Sequence, residues 1–311
     1  MENRIYAALL VALLAAAYAS WTQEGAPAEV AVALLDAPPS SLERLELEGR
    51  TSTVTAVLQE IEGTRRALFT VKNQQGLRTF WSNEAFEKDL EKYAKLEAVR
   101  SLGRLSGEDL DQTGLDAPSR RVRITAGGRT SELDVGGETN GARDFYVRRK
   151  GEDEVHLVVR RLFADLEVPG NRYMQRKLRR APAKDVASVV LEAGSRKVEL
   201  LHKNRLSPQD AYWAQLDTPE TVAEAAGNFV EKIERLSALE YLDAPRADRF
   251  DAAPMVLQIR WMGADGPLDT LELRRGDDGR YWGRTAATHA PVEVSKSTGE
   301  QIESDLALVF P

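Results

Sequence analysis

The chain opens on a pattern that the rest of it does not share. Residues 5–21 carry no charge, Arg4 precedes them, and Glu24, Glu29 and Asp36 follow. As a helix rising ~1.5 Å per residue, this run spans about 25 Å, the short end for a bilayer crossing. The order positive, apolar, acidic directs the amino end to the cytoplasm and the remainder outward. Tyr6 and Trp21 bracket the run as interfacial anchors. Ala17 and Ala19 also form an A-x-A site suited to cleavage of a signal peptide. A buried core helix is the bland alternative. Residues 30–35 form a second apolar patch, too short to span. It runs into Asp36-Ala37-Pro38-Pro39-Ser40-Ser41, which reads as a linker. The amino end thus divides into a signal anchor or transmembrane helix over 1–22 and a linker over 23–39.

Beyond residue 40 the pattern suits a folded protein. Leu45 and Leu47 alternate with charged residues, as in a half-buried strand. Residues 67–72 read as a second strand, continuing through Gly76 to Phe80-Trp81. Ser82-Asn83-Glu84 then offers a helix cap. Phe86, Leu90, Tyr93, Leu96, Val99 and Leu102 recur at spacings of four and three, which predicts one amphipathic helix of about five turns. The period next changes to two. Val122 and Ile124, Leu133 and Val135, residues 145–147 and residues 155–159 form a four-strand meander, punctuated by Gly127-Gly128 and Gly136-Gly137. A short helix over about 161–166 closes the set.

The same order recurs. Residues 186–192 and 197–202 read as a hairpin around Gly194-Ser195. Asp217-Thr218-Pro219-Glu220 looks like a helix start. Val222, Ala226, Phe229, Ile233 and Leu236 repeat at helical spacing, a second meander runs from Val256 to Val294, and residues 298–308 supply a closing helix. Trp81 and Trp213, Ile124 and Ile259, Tyr146 and Tyr281, and Val155 and Val292 recur at a near-constant offset of about 135 positions. The expected fold class is α+β: two tandem similar modules, 40–181 and 182–311, each an antiparallel sheet with helices on one face, preceded by one N-terminal transmembrane helix.

Composition narrows the chemistry. The 311 residues include no Cys and three His, which excludes disulfides, thiolate metal sites, cysteine nucleophiles and a lipoprotein anchor. Lys plus Arg is 42 and Asp plus Glu is 49, a net charge of −7, which argues against a broad nucleic-acid surface. Asp109, Asp111, Thr113 and Gly114 imitate the start of a calcium loop, but its twelfth position is Arg120, which would repel the ion. The glycine pairs open no helix with phosphate-binding spacing. Ser195 and Ser207 lack a nucleophile elbow, and His156 and His202 read as structural residues on strands. The expectation is therefore a protein that is not an enzyme, with no cofactor and no metal. Arg172, Arg176, Lys177, Arg179 and Arg180 form a basic cluster between the modules. It suits contact with anionic headgroups or an acidic partner, or else a solvated inter-module helix. The repeated aromatics Trp81, Trp213, Tyr146, Tyr281 and Trp282 suit either sugar stacking or a core role.

One stretch carries a resemblance. Trp81 stands before the long helix; Leu110, Gly114, Leu115, Asp116 and Pro118 form a turn; Gly136 ends a strand; Tyr146-Val147-Arg148 opens a hairpin. This pattern, from about Trp81 to Leu201, resembles the domain-of-unknown-function family 4340, with Thr113 standing where the family often has an aromatic residue. The resemblance implies a retained membrane anchor and repeated α+β modules outside the cytoplasm, encoded beside ABC-transporter permeases and gliding-motility-type auxiliary subunits. It carries over no catalytic residue. The expected role is a single-pass protein of the bacterial inner membrane, its bulk periplasmic, acting as an accessory subunit beside permease or auxiliary partners of an ABC-type system. A binding module for cell-wall or polysaccharide ligands is the alternative.

Overall fold

The computed structural model describes residues 32–61 and 63–310. The apolar run, Tyr6 and Trp21 lie outside the described residues. Among the described residues no helix is long and apolar enough to cross a membrane.

Strands form where apolar and polar residues alternate, because one face can then be buried on a neighbour. In chain order the first part contains β1 (Val32–Ala33), β2 (Leu42–Glu48), β3 (Ser52–Ile61), β4 (Thr64–Asn73), β5 (Gly76–Trp81), helix α1 (Glu84–Ala94), β6 (Glu97–Ala98), β7 (Arg100–Arg104), α2 (Glu108–Thr113), β8 (Arg120–Ala126), β9 (Arg129–Glu138), β10 (Asp144–Arg149), β11 (Glu154–Val159), α3 (Arg160–Glu167) and α4 (Pro169–Arg172). Nine of these strands form one antiparallel sheet in the order β5-β4-β3-β2-β8-β9-β10-β11-β7. A single row of side chains crosses five of them: Phe80 opposite Phe69, Phe69 opposite Ala56, Ala56 opposite Leu45, Leu45 opposite Ile124. All five are buried, and Phe86, Leu90 and Tyr93 of α1 and Phe163 and Leu166 of α3 belong to the same core. Each such large apolar side chain contributes about 1.5–3 kcal/mol on leaving water.

The second part contains β12 (Ser188–Ala193), β13 (Arg196–Lys203), β14 (Tyr212–Gln215), α5 (Glu224–Glu234), β15 (Glu240–Tyr241), α6 (Ala244–Ala247), β16 (Met255–Met262), β17 (Pro267–Arg275), β18 (Tyr281–Arg284), β19 (Val292–Val294) and α7 (Lys296–Val309). Its eight strands form a separate antiparallel sheet, β14-β13-β12-β16-β17-β18-β19-β15. Leu191 pairs with Ile259 and Ile259 with Leu271, and Phe229, Ile233 and Ile302 join the same core. Gly299 lets α7 lie on the Tyr281 ring: a Cβ there would come within 2.3 Å of the ring carbon Cγ. The described residues are thus α+β, with two large antiparallel sheets, a two-stranded antiparallel sheet of β1 and β6, and several helices.

Several expectations need correction. The five-turn helix stops at Ala94, Leu96 is buried beyond its end, and Val99 is 46% exposed. The cause is long-range pairing. The Leu96 carbonyl accepts the N–H groups of Leu34 and Leu35 at 2.7 and 3.1 Å, and Ala98 pairs with Val32. Such pairing overrides the helical spacing. The linker reading fails from Val32 onward for the same reason: Leu34 is 3% exposed, and Arg149 donates to the carbonyls of Ala33 and Leu34, each at 2.7 Å. The helix expected at Asp217 begins at Glu224, after turns closed by Thr218 and Thr221 N–H groups. Trp81 and Trp213, paired as landmarks, occupy strands with different neighbours. Trp81 lies on the outermost strand β5, opposite Leu68, while Trp213 lies on β14, opposite His202. Tyr146 is half-buried whereas Tyr281 is buried.

Candidate functional site

Two constellations gather the residues singled out above. The first is a clasp between α2 and β9. Gly114 ends α2 in the left-handed conformation at φ 68°, where a glycine carries no steric cost. The next residue, Leu115, is fully buried. Thr113 Oγ1 donates to the Leu110 carbonyl at 2.6 Å, and Gly136 passes beneath Thr113 so closely that a Cβ would lie 2.2 Å from its carbonyl oxygen. Arg148 donates to the Leu115 carbonyl at 2.9 Å. Leu110, Gly114, Leu115, Gly136 and Arg148 therefore meet as one packing unit. Asp109, Asp111 and Thr113 lie on the helix itself, and Arg120 is ion-paired with Glu167. Asp111 and Asp116 share a hydrogen bond, which raises the Asp111 carboxyl above its ordinary range. Among the described residues no group of His, Asp and Glu is arranged to hold a metal ion.

The second constellation is the junction of the two sheets. Asn83 caps α1 by accepting the N–H groups of Ala85 and Phe86, at 2.9 and 3.4 Å. Its amide nitrogen donates to the carbonyls of Arg172 and Met174. The cap thus fastens the connector that links the sheets. Beneath it Tyr173 packs on Phe69 and Phe86, with ring centroids 5.9 and 5.1 Å apart. Its hydroxyl donates to Asp89 at 3.2 Å, and the Tyr93 hydroxyl lies 3.0 Å from it. Burial pushes the Asp89 carboxyl up, but hydrogen bonds from Lys92 and Arg172 outweigh this and hold it below the usual range. Burial raises both tyrosines, Tyr173 to about 12. Nearby, the ion pair of Arg66 and Glu87, 2.8 Å apart, is half-hidden from water. Burial raises Glu87 and lowers Arg66.

The basic cluster is the connector itself. Residues 174–182 form no helix, because the chain must pair with both sheets in turn. Met174 bridges to Ser82, and Lys177 to Ser237. Arg172 pairs with Asp89 at 2.9 Å and Asp165 at 3.2 Å. Arg176 donates to the carbonyls of Gly170 and Ala238, each at 3.2 Å, spanning the junction. Arg179 pairs with Glu234 at 3.0 Å and covers the Trp261 ring. Arg180 Nη2 lies 2.5 Å from His289 Nε2, and its backbone N–H donates to the buried Asp269, whose carboxyl burial raises. Lys177 is exposed. Of the aromatics, Trp213, Tyr281 and Trp282 are buried, while Trp81 packs edge-on against His289 at 5.5 Å. Sequence reasoning missed Asp89 and Tyr241. Asp89 falls on the apolar stripe of α1, and a carboxylate at such a position is the one local signal that marked it.

The arrangement defines an α+β protein of two antiparallel sheets held by an arginine-rich connector. The model of the family described as "Domain of unknown function (DUF4340)" matches residues 88–254, more than half of the chain, and the chain belongs to that family. No curated protein and no solved structure matches it.

Proposed function

We propose that the chain is a membrane-anchored contact protein, an accessory subunit of an ABC-type transport system whose two sheets stand on the periplasmic side of the bacterial inner membrane. The observation that carries the reading is the fixed entry of the chain. The segment that follows the apolar run is clamped to the first sheet by Leu34 and Arg149. Residues 22–31, ten positions at no more than ~3.6 Å each, set an upper limit of about 36 Å on the tether between that run and the fold. Such a tether holds the first sheet close to the bilayer, where a permease would be met. The polar groups at the junction already serve one another, which suits a scaffold that works through its surface.

The two sheets also read as copies of one module. In each, the first strand pairs antiparallel with the opening strand of a meander, Leu45 with Ile124 and Leu191 with Ile259. In each, a residue just ahead of the first long helix donates one 2.8 Å backbone bond to the third strand from the meander, Ser82 N–H to the Ala67 carbonyl of β4 and Ala223 N–H to the Trp213 carbonyl of β14. In each, a strand that follows this helix returns to the far edge. On this correspondence of strand order β5 is an addition peculiar to the first copy. Affinity purification of the tagged full chain from bacterial membranes in mild detergent tests the role. Retention of a permease or auxiliary subunit is expected, and recovery of the chain alone from carbonate-resistant membranes overturns it.

A further inference from the structure

The added strand β5 ends the first sheet, and among the described residues no strand pairs with its outer side. In an antiparallel pair the N–H and C=O of successive residues point alternately toward and away from the partner. The Trp81 carbonyl points away from β4, since it accepts the Gln175 N–H at 2.8 Å. The pairing of β5 with β4 runs without a shift from Trp81 to Gly76, so Thr79 and Leu77 present their backbone groups outward as well. The connector covers this edge at Ser82 and Trp81 and then departs toward Ser237. A bare stretch of edge therefore continues the line that the chain's own connector begins.

A cleft of about 420 Å³ opens beside β5, on the face that carries Arg78 and Phe80, and is lined also by Val71 and residues 168–171. Two guanidiniums face it, Arg78 and Arg176. Its one carboxylate, Glu167, is already ion-paired with Arg120. Among the described residues no carboxylate pairs with Arg78 or with Arg176, which spends its donors on carbonyl oxygens. The bare edge at Leu77 and Thr79 thus lies beside a cleft that carries uncompensated positive charge.

The geometry points to β5 as a docking edge for an extended acidic segment of a partner protein, which adds as a further antiparallel strand over Leu77 and Thr79 and sets its carboxylates against Arg78 and Arg176. Backbone pairing supplies the affinity and the two arginines choose the charge. This names the chemistry of the partner in the contact-protein reading and rests on it.

The test uses the full chain in detergent with a fluorescein-labelled octapeptide of alternating valine and glutamate, and a control with lysine for glutamate. Anisotropy is expected to show saturable, salt-sensitive binding of the glutamate peptide, with new exchange protection at the Leu77 and Thr79 amides. Thr79→Pro removes one outward donor at an edge that tolerates proline and is expected to weaken binding at least about tenfold. Should that variant fail to fold, Arg78→Glu decides: loss of the preference for the glutamate peptide supports the inference, and an unchanged preference overturns it. Absence of binding, equal binding of both peptides, or full binding by folded Thr79→Pro also overturns it. These failures leave co-purification with a membrane partner untouched, and loss of co-purification leaves peptide binding readable.

Discussion

At the scale of single residues, Gly136 and Asp89 show two kinds of constraint. Gly136 has no room for a side chain, since a Cβ would stand 2.2 Å from the Thr113 carbonyl, whereas a Cβ on Gly137 would meet the same oxygen at 3.5 Å, an ordinary contact. Gly136→Ala is expected to cost about 2–4 kcal/mol in urea unfolding and Gly137→Ala far less. Equal costs would show that the glycine pair acts through turn flexibility rather than close approach. Asp89 is constrained by charge. Its folded-state carboxyl is held below the ordinary range by Lys92 and Arg172 against the opposing effect of burial. A depressed carboxyl stabilises the fold above its unfolded-state value and loses that contribution as pH falls through the folded-state value. Asp89→Asn is therefore expected to destabilise by about 2 kcal/mol at neutral pH. The difference from the parent should close as urea titrations move from pH 5 toward 3. A difference that stays constant over this range would assign Asp89 a steric rather than an ionic role.

At the scale of elements, the sequence displayed whatever depends on near neighbours. The meanders β8–β11 and β16–β19, the Asn83 cap and the helices α3 and α7 follow from alternation, turn glycines and apolar spacing. β3 escaped because its polar and apolar residues do not alternate: Val57 and Ile61 share the outer face with Thr53, Thr55 and Gln59, Ser52 and Glu60 fall on the inner one, and only Val54 and Ala56 are buried. The helical spacing through Val99 misled for a different reason. Leu96 and Ala98 are apolar because β1 and the core need them, and that demand arises some sixty positions earlier in the chain. β1 is thus an element made by tertiary contact alone. Leu34→Ala is expected to release it, at a cost of about 2–4 kcal/mol. Limited proteolysis should then cut near residues 32–38 well before the sheet unfolds. Cleavage there at the parental rate would mean that Arg149 alone suffices to hold the segment.

At the scale of the whole molecule, the basic cluster was legible as a feature, but its contacts were not. Charge composition shows that arginines concentrate between the sheets, but only the fold reveals the carbonyls and carboxylates they reach. The family match makes the same point, since residues 88–254 run from α1 through the connector to the end of the loop before β16, taking the later part of one sheet and the opening of the other. The matched stretch is therefore centred on the junction. Tyr241 is the side chain that packs against both cores. Its ring lies 6.5 Å from Phe80, and its hydroxyl receives the Trp81 N–H while donating to the Gln175 carbonyl at 3.4 Å. If this ring transmits stability across the junction, the two sheets should melt together in the parent and apart once it is removed. Calorimetry of the detergent-solubilised full chain is expected to give one transition for the parent and for Tyr241→Phe, which keeps the ring. Tyr241→Ala is expected to give two, because each sheet retains a core of its own while the coupling between them is lost. A single transition in Tyr241→Ala, merely shifted to lower temperature, would place the coupling in the backbone bonds of the connector, where Arg176 and Lys177 pair with Ala238 and Ser237.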